Sequence, residues 1–350
     1  MERELHHFLV IRLSAMGDVV LAAQVIRQAL TQHPDVVLHM VTRPAYQAFF
    51  QGVERIRFIT PDLYGKHKGL TGLYRLAREI QKEQPVEGVI DLHDVLRSII
   101  LRQSLSLHGI QTASIDKDRK ARKGLTRKIH KDRTPLTSII DRMAEVFQQL
   151  ALPVQVDTSV AHAGDYPFSF PLPQGIRIGI APSASTQEKT YPSHLMRAVV
   201  VQLLAKGYHI FALGGGKTDQ ETFVDWQALP HNDRLHDGMK YALHEQLGLM
   251  AKLDLMLTMD SSNMHMARLL GIPVLSIWGA THPDGGYAPF GVEDKRMFIQ
   301  MPVEEVACRP CSIFGNKACF RERMYCMEGI SPDEVVNRVD QYVRKVDGQM

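Results

Sequence analysis

Apolar residues fall along the chain in short runs, separated by stretches with helical spacing. FLVIRL at 8–13, VVLHMVT at 36–42, RIRFI at 55–59, VEGVID at 86–91 and IQTASI at 110–115 read as strands. Between the first two, Val19 to His33 places Val20, Ala23, Ile26 and Leu30 at the period of a helix. Strand and helix in alternation predict a parallel α/β sheet. A further helix is expected over 135–150 (PLTSIIDRMAEVFQQL), with Pro135 near its start.

The periodicity fades over 153–175, where Pro153, Gly164, Pro167, Pro171, Pro173 and Gly175 interrupt the chain. A second series follows: strands at 176–181, 208–213, 254–258 and 273–277, and helices at 193–206, 219–229, 244–252 and 262–270. A last helix over 332–346 is announced by Ser331 as cap and Pro332 in the first turn. A chain of 350 residues exceeds the usual size of one domain, so two are expected, 1–165 and 175–350.

With 41 Lys and Arg against 38 Asp and Glu, the net charge of +3 does not describe a surface built for nucleic acid. No apolar run reaches the length of a membrane span or a signal segment, which predicts a soluble, cytoplasmic protein. One stretch departs from this balance: DKDRKARKGLTRKIHKDR at 116–133 carries a local net charge of +6. It reads either as a mobile solvated loop or as a cradle for an anionic acceptor or membrane surface. Nucleic acid is disfavoured there, because no aromatic residue interleaves the cations.

In a doubly wound sheet, ligands bind beyond the carboxyl ends of the strands, so residues just after strands carry the candidate chemistry. Asp18 in IRLSAMGDVV follows the first strand, and is either a helix N-terminal acid or a general base. The loop IAPSASTQEKTYP at 180–192 offers Ser183, Ser185, Thr186 and Lys189, which suit a phosphate or diphosphate, or simply line a solvated loop. In LTMDSSNMHMARLLGIPV at 257–274, Asp260 precedes a helix that Ser261 or Ser262 can cap, and a helix start attracts anions. His265 on that helix is either a core histidine or part of the site, and SIWGATHP at 276–283 follows the next strand.

LGGGKT at 213–218 is not a nucleotide-triphosphate loop, since Phe211 stands where that pattern needs glycine. The triglycine suits close approach to a nucleotide, with Asp219 and Glu221 near enough for ribose hydroxyls. No G-x-G-x-x-G follows the first strand, which weakens a dinucleotide oxidoreductase, and no ligand pattern suggests a catalytic metal. Cys308, Cys311, Cys319 and Cys326 are spaced C-x2-C-x7-C-x6-C, which fits a structural zinc, buried free thiols or redox-dependent disulfides.

The blocks SAMGDVV, EKTYP around Lys189, DSSNMHMA at 260–267, WGATHP at 278–283 and the segment ending CMEGISPDEV together resemble glycosyltransferase family 9, the bacterial lipopolysaccharide heptosyltransferases. The resemblance implies a GT-B fold: two Rossmann-like parallel-sheet domains facing a central cleft, with acceptor on the N-terminal side and nucleotide sugar on the C-terminal side. It makes Asp18 the general base. Lys189, with Ser185 beside it, meets the donor diphosphate, and Asp260 holds the donor sugar hydroxyls. Ser261, Ser262 and His265 form the diphosphate-binding helix start, Glu221 lies on the donor side, and Arg119, Lys120, Arg122 and Lys123 serve the acceptor. Two positions depart from the family pattern: Ser262 where glycine is usual and Tyr191 where tryptophan is frequent.

The expected activity is an inverting, metal-independent transfer of heptose from ADP-heptose to a lipopolysaccharide core, without cofactor and with peripheral contact at the inner membrane's cytoplasmic face. The competing readings are a GT-B transferase or epimerase for another nucleotide sugar, and a non-catalytic module that binds a nucleotide or an anionic glycan.

Overall fold

The computed structural model describes residues 4–83 and 85–346. The chain forms two α/β units: residues up to Asp118 with Thr137–Thr158, and Arg119–Leu136 with the chain from Ser159 onward.

The first unit holds a parallel sheet of β1 (His6–Ile11), β2 (Val36–Val41), β3 (Ile56–Ile59), β4 (Gly88–Asp91) and β5 (Gln111–Ser114), in the order β3-β2-β1-β4-β5. β1 runs in register with β2 from His6↔Val36 to Ile11↔Val41, and with β4 from Phe8↔Gly88 to Ile11↔Asp91. Leu9, Val10 and Ile11 are fully buried, the expected state of a central parallel strand covered on both faces. The helices of this unit are α1 (Met16–Gln32), α2 (Gly69–Glu83) and α3 (Leu96–Ser106), while α4 (Arg119–Leu125) belongs to the other unit and α5 (Ile139–Gln148) returns to the first.

α1 is buried from Val19 to Leu30, polar residues included. Its polar side chains are occupied by the chain that crosses them: Gln28 donates to the Asp157 carbonyl at 2.9 Å and accepts the Asp157 N–H at 2.6 Å. α5 starts at Ser138, whose Oγ accepts the Ile140 N–H at 3.2 Å, so the helix begins after Pro135 rather than at it.

The second unit holds β6 (Arg177–Ile180), β7 (His209–Ala212), β8 (Leu235–Asp237), β9 (Leu255–Met259), β10 (Val274–Trp278) and β11 (Phe298–Gln300), all parallel, in the order β11-β10-β9-β6-β7-β8. The three-residue edge strands β8 and β11 lack the apolar runs by which the inner strands are legible. The remaining helices are α6 (Ser193–Ala205), α7 (Lys217–Trp226), α8 (Leu243–Met250), α9 (Ser262–Leu269), α10 (Tyr325–Glu328) and α11 (Pro332–Val346). Ile178, Leu203, Trp226, Leu257 and Val339 are fully buried in one core. α11 starts where Ser331 Oγ accepts the Glu334 N–H at 3.1 Å, and lies on α6 through Gln202–Asp333 at 2.7 Å and Lys206–Asp340 at 2.8 Å.

The basic stretch, placed by sequence with the first half, clusters with the second unit from Arg119 onward. Lys131 Nζ donates to the Pro310 carbonyl at 2.7 Å, and Arg133 to the carbonyls of Arg309 and Ala307, both at 3.3 Å. Its first turns form α4 rather than a mobile loop. Among the described residues, no helix is long and apolar enough to cross a membrane.

Both sheets reverse direction in the same way. The chain fills one side of its first strand, then crosses to the other, which leaves a switch point between β1 and β4 and another between β6 and β9. Loops that diverge at such a point open the crevice in which α/β sheets bind ligands.

Candidate functional site

At the β6/β9 switch point, Lys189 Nζ lies 2.9 Å from Asp260 Oδ2, with side chains only 11% and 7% exposed. Lys189 ends a short 3-10 turn (Gln187–Lys189) in the loop after β6, and Asp260 follows β9 directly. Thr190 Oγ1 braces the loop by donating to the Thr186 carbonyl at 2.8 Å and accepting the Ala184 N–H at 3.1 Å. Tyr191 is fully buried and donates to the Ile330 carbonyl at 2.7 Å, so its ring packs in the core while its hydroxyl is satisfied. Burial also pushes its phenol pKa up. Each member of so enclosed a pair as Lys189 and Asp260 is expensive to leave alone, at about 3–5 kcal/mol when one partner is removed.

Ser262 begins α9, and Ser261 is the extended residue before it. Contrary to the sequence expectation, Ser261 makes no side-chain cap, because its Oγ is 3.0 Å from Thr258 Oγ1 instead. A helix start without a capping side chain keeps N–H groups for another acceptor, and an anion is the favoured one. His265 is buried within α9, and Ser185 is exposed in the loop before Lys189.

Asp219, which spacing offers to a ribose, is engaged by its own surroundings. Its carboxylate accepts from Ser183 Oγ at 2.5 Å and from the Gly215 and Gly216 N–H groups at 3.1 Å each, so it closes the start of α7. Glu221 is 64% exposed and 3.5 Å from Lys217 Nζ one helical turn away.

Two residues of this site, Thr281 and Arg309, are not apparent from spacing, and Thr186 joins them from the loop already singled out. Thr186 Oγ1 and Thr281 Oγ1 are buried with no hydrogen-bond partner, an arrangement that costs free energy unless a ligand completes it. Arg309 is fully buried and donates to the carbonyls of Gly279 at 2.6 Å, Thr281 at 3.1 Å and Met301, and to Gln300 Oε1 at 2.9 Å. It thereby fixes the WGATHP loop after β10, and burial lowers its pKa to about 10. The signal in sequence is an arginine between the first two cysteines, where the metal reading draws attention to its neighbours.

All four cysteines are free. They line one cavity together with Glu188, the neighbour of Lys189. Burial pushes the Cys326 thiol up to about 11 and raises Cys311 as well, so both are held as thiols. Among the described residues, no group of three His, Cys, Asp or Glu side chains is placed to hold a metal ion.

At the β1/β4 switch point of the first unit, Asp18 lies in the first turn of α1. Its Oδ2 accepts the Ala15 N–H at 3.2 Å and pairs with the Arg12 guanidinium. The helix-terminal role is therefore real, but it uses one oxygen; among the described residues nothing bonds Oδ1. Arg12 also donates to the Leu92 carbonyl, and Ser14 Oγ is 3.4 Å from His93 Nε2. Burial, then the Arg12 charge, lowers the His93 pKa to about 3, and His93 Nδ1 is buried without a partner. Sequence reading passes over Arg12 and His93, which follow β1 and β4 as directly as the rule for such sheets requires.

On α4, Arg119, Lys120 and Lys123 are exposed and Arg122 is half-buried. Its guanidinium carbon lies 5.7 Å from the Tyr287 ring centre and 5.3 Å from that of Phe314, and it donates to the Tyr287 hydroxyl at 3.2 Å.

Two parallel-sheet units, with a lysine–carboxylate pair at the switch point of one and a carboxylate at that of the other, have the fold of GT-B glycosyltransferases. The family model of glycosyltransferase family 9 (heptosyltransferase) matches residues 73–310, and the chain belongs to that family. It is a glycosyltransferase. Among solved structures it is similar to the family 9 glycosyl transferase of Veillonella parvula DSM 2008, at 19% identity over 99% of both chains with a TM-score of 0.72. It is also similar to two E. coli proteins. Heptosyltransferase WaaC with ADP aligns at 15% identity, 96% of this chain and 99% of that one, TM-score 0.68. ADP-heptose lps heptosyltransferase II aligns at 16% identity, 97% and 99%, TM-score 0.68. At these identities the likeness is one of fold. No curated protein matches the chain.

Proposed function

We propose that the protein transfers a heptose from ADP-heptose to the core of lipopolysaccharide, with inversion at the anomeric carbon and without a metal ion. The observation that carries the reading is the Lys189–Asp260 pair beside the start of α9, a cation, a carboxylate and a helix N-terminus on one switch point. That E. coli WaaC is solved with ADP, and with ADP-2-deoxy-2-fluoro heptose, favours adenine and heptose in the donor.

In the reacting complex Asp18 Oδ1 takes the proton of the acceptor hydroxyl while that oxygen bonds to the anomeric carbon. The bond from that carbon to the diphosphate breaks, and its electron pair leaves on ADP. Lys189 and the first turn of α9 meet the negative charge that develops, a task that fixed dipoles and a buried ammonium perform without a metal. Asp260 accepts from the sugar hydroxyls, and Ser185, Ser261, Ser262 and His265 complete the donor side, with Glu221 at its rim. Arg119, Lys120 and Lys123 attract an acceptor that bears carboxylates and phosphates, at the cytoplasmic face of the inner membrane.

Calorimetric titration with ADP, UDP and GDP tests the donor assignment. Preference for ADP supports it, preference for UDP or GDP moves the donor within the same fold, and absence of nucleotide binding overturns it.

A further inference from the structure

Lys189 does not hold its path by itself. The chain from 301 to 324 contains neither strand nor α-helix, and a turn within it packs against the aliphatic stem of the lysine. Gly315 has φ of +66°, and a Cβ built there would lie 2.4 Å from Lys189 Cγ, 2.5 Å from Cδ and 2.8 Å from the unpartnered Thr186 Oγ1. These are atoms in the middle of the stem, not at a free end. Its base is set by the 3-10 turn and its tip by Asp260, so it cannot swing aside without losing the 2.9 Å ion pair.

The turn is itself fixed on two sides. Buried Ser312 accepts at Oγ from the Phe314 and Asn316 N–H groups at 3.2 and 3.3 Å and donates to Asn316 Oδ1 at 2.9 Å. The N–H groups of Cys311 and Ser312 donate to the Ala280 carbonyl at 3.0 and 3.3 Å, while the Ala280 N–H donates to the Glu188 carbonyl at 3.2 Å. One residue thus ties the turn to the backbone beside Lys189. On the other side Phe314 packs edge-on to Tyr287 at 5.5 Å and lies beneath Arg122.

We propose that the turn at 312–316 positions Lys189 for the donor diphosphate, with Gly315 making room for the lysine stem and Arg122 holding the turn in place. Arg122 is then a positioning residue of the donor half, not a ligand of the acceptor as its place among basic neighbours suggests. The inference rests on Lys189 being the diphosphate ligand, and the test separates the two.

ADP and AMP are titrated into the full chain and into variants. Gly207 has φ of +90° with nothing within 4 Å of an added Cβ, so Gly207→Ala carries the backbone strain of a left-handed alanine without the collision. Gly315→Ala is expected to weaken ADP about tenfold, and AMP far less, because the bond between ammonium and diphosphate is charge-assisted and a displaced lysine no longer makes it. Gly207→Ala is expected to lower the melting temperature similarly and leave ADP affinity unchanged. In a Lys189→Ala background, Gly315→Ala should have no further effect. Arg122→Ala should weaken ADP several-fold, and carries the test alone if Gly315→Ala does not fold. Equal ADP affinities for Gly315→Ala and Gly207→Ala, or an Arg122→Ala variant with wild-type ADP affinity, would overturn the proposal. If Lys189→Ala itself binds ADP normally, it is the reading of the lysine that fails.

Discussion

Lys189 Nζ and Asp260 Oδ2 stand 2.9 Å apart at the carboxyl ends of β6 and β9, so the cation and the acid that we propose meet the donor are each other's partner. A diphosphate competes with Asp260 for the ammonium, and sugar hydroxyls are needed to occupy the released carboxylate. ADP, which brings phosphate but no sugar, takes the lysine and leaves the acid unsatisfied. Asp260→Asn should therefore bind ADP several-fold more tightly than the wild type while its turnover of nucleotide sugar falls by an order of magnitude or more. Calorimetry with ADP beside initial rates with donor checks this, and tandem loss of both would contradict it.

Asp18→Asn keeps an oxygen for the Ala15 N–H but cannot take a proton. Turnover should fall about 10²–10⁴-fold, with ADP affinity unchanged. A variant that retains wild-type kcat would remove Asp18 as the base.

The exposed Lys120 and Lys123 of α4 should separate from the half-buried Arg122. Lys120→Glu with Lys123→Glu is expected to raise the KM for an anionic acceptor about tenfold while the donor KM stays within about twofold. Steady-state kinetics at two salt concentrations checks it, since an effect through long-range attraction shrinks as salt rises.

Arg309 satisfies four oxygens from the interior of the second unit. Arg309→Leu should cost about 3 kcal/mol or more, because it leaves buried carbonyls unpaired. Arg309→Lys should recover little, since an ammonium cannot copy the planar fork. Denaturant unfolding of the three proteins gives the comparison, and a Lys variant of wild-type stability would refute the account.

His39 and His93 are both buried in the first unit with pKa values lowered to about 4 and about 3, His39 by burial and then by His7, His93 by burial and then by Arg12. In the unfolded chain both titrate near 6.5. Below that pH the unfolded state binds more protons than the folded one, so their contribution to stability is whole above pH 6.5 and is lost as pH falls toward 4 and 3. Each adds a slope of up to about 1.4 kcal/mol per pH unit in that window. His93→Gln should flatten the decline in unfolding free energy between pH 6.5 and 4.5. An unchanged slope would show that His93 is protonated without cost in the folded state.

The inner strands of both sheets are legible because a parallel strand buried on both faces is a nearly continuous apolar run, as FLVI at 8–11 is, and as VVLHMV at 36–41 is but for His39. β8 and β11 are not, since an edge strand of three residues carries no period to read. The partnership of Lys189 with Asp260 spans 71 positions and is set by which strands lie side by side, a property of topology. For Asp219 the opposite holds: a carboxylate three residues into a helix after glycines looks available for a ribose, but the Ser183 hydroxyl and the Gly215 and Gly216 N–H groups already occupy it. Arg122 looks like one cation among nine, and only the arrival of Tyr287 and Phe314 distinguishes it.

The most direct test of the central claim is the mass of the product. The protein is incubated with ADP-heptose and a lipopolysaccharide acceptor truncated before its heptoses, and the acceptor is weighed by mass spectrometry with Asp18→Asn as control. The account predicts a gain of one heptose residue in the wild type, release of ADP, and no gain in the variant. An unmodified acceptor, or an equal gain with both proteins, would contradict it.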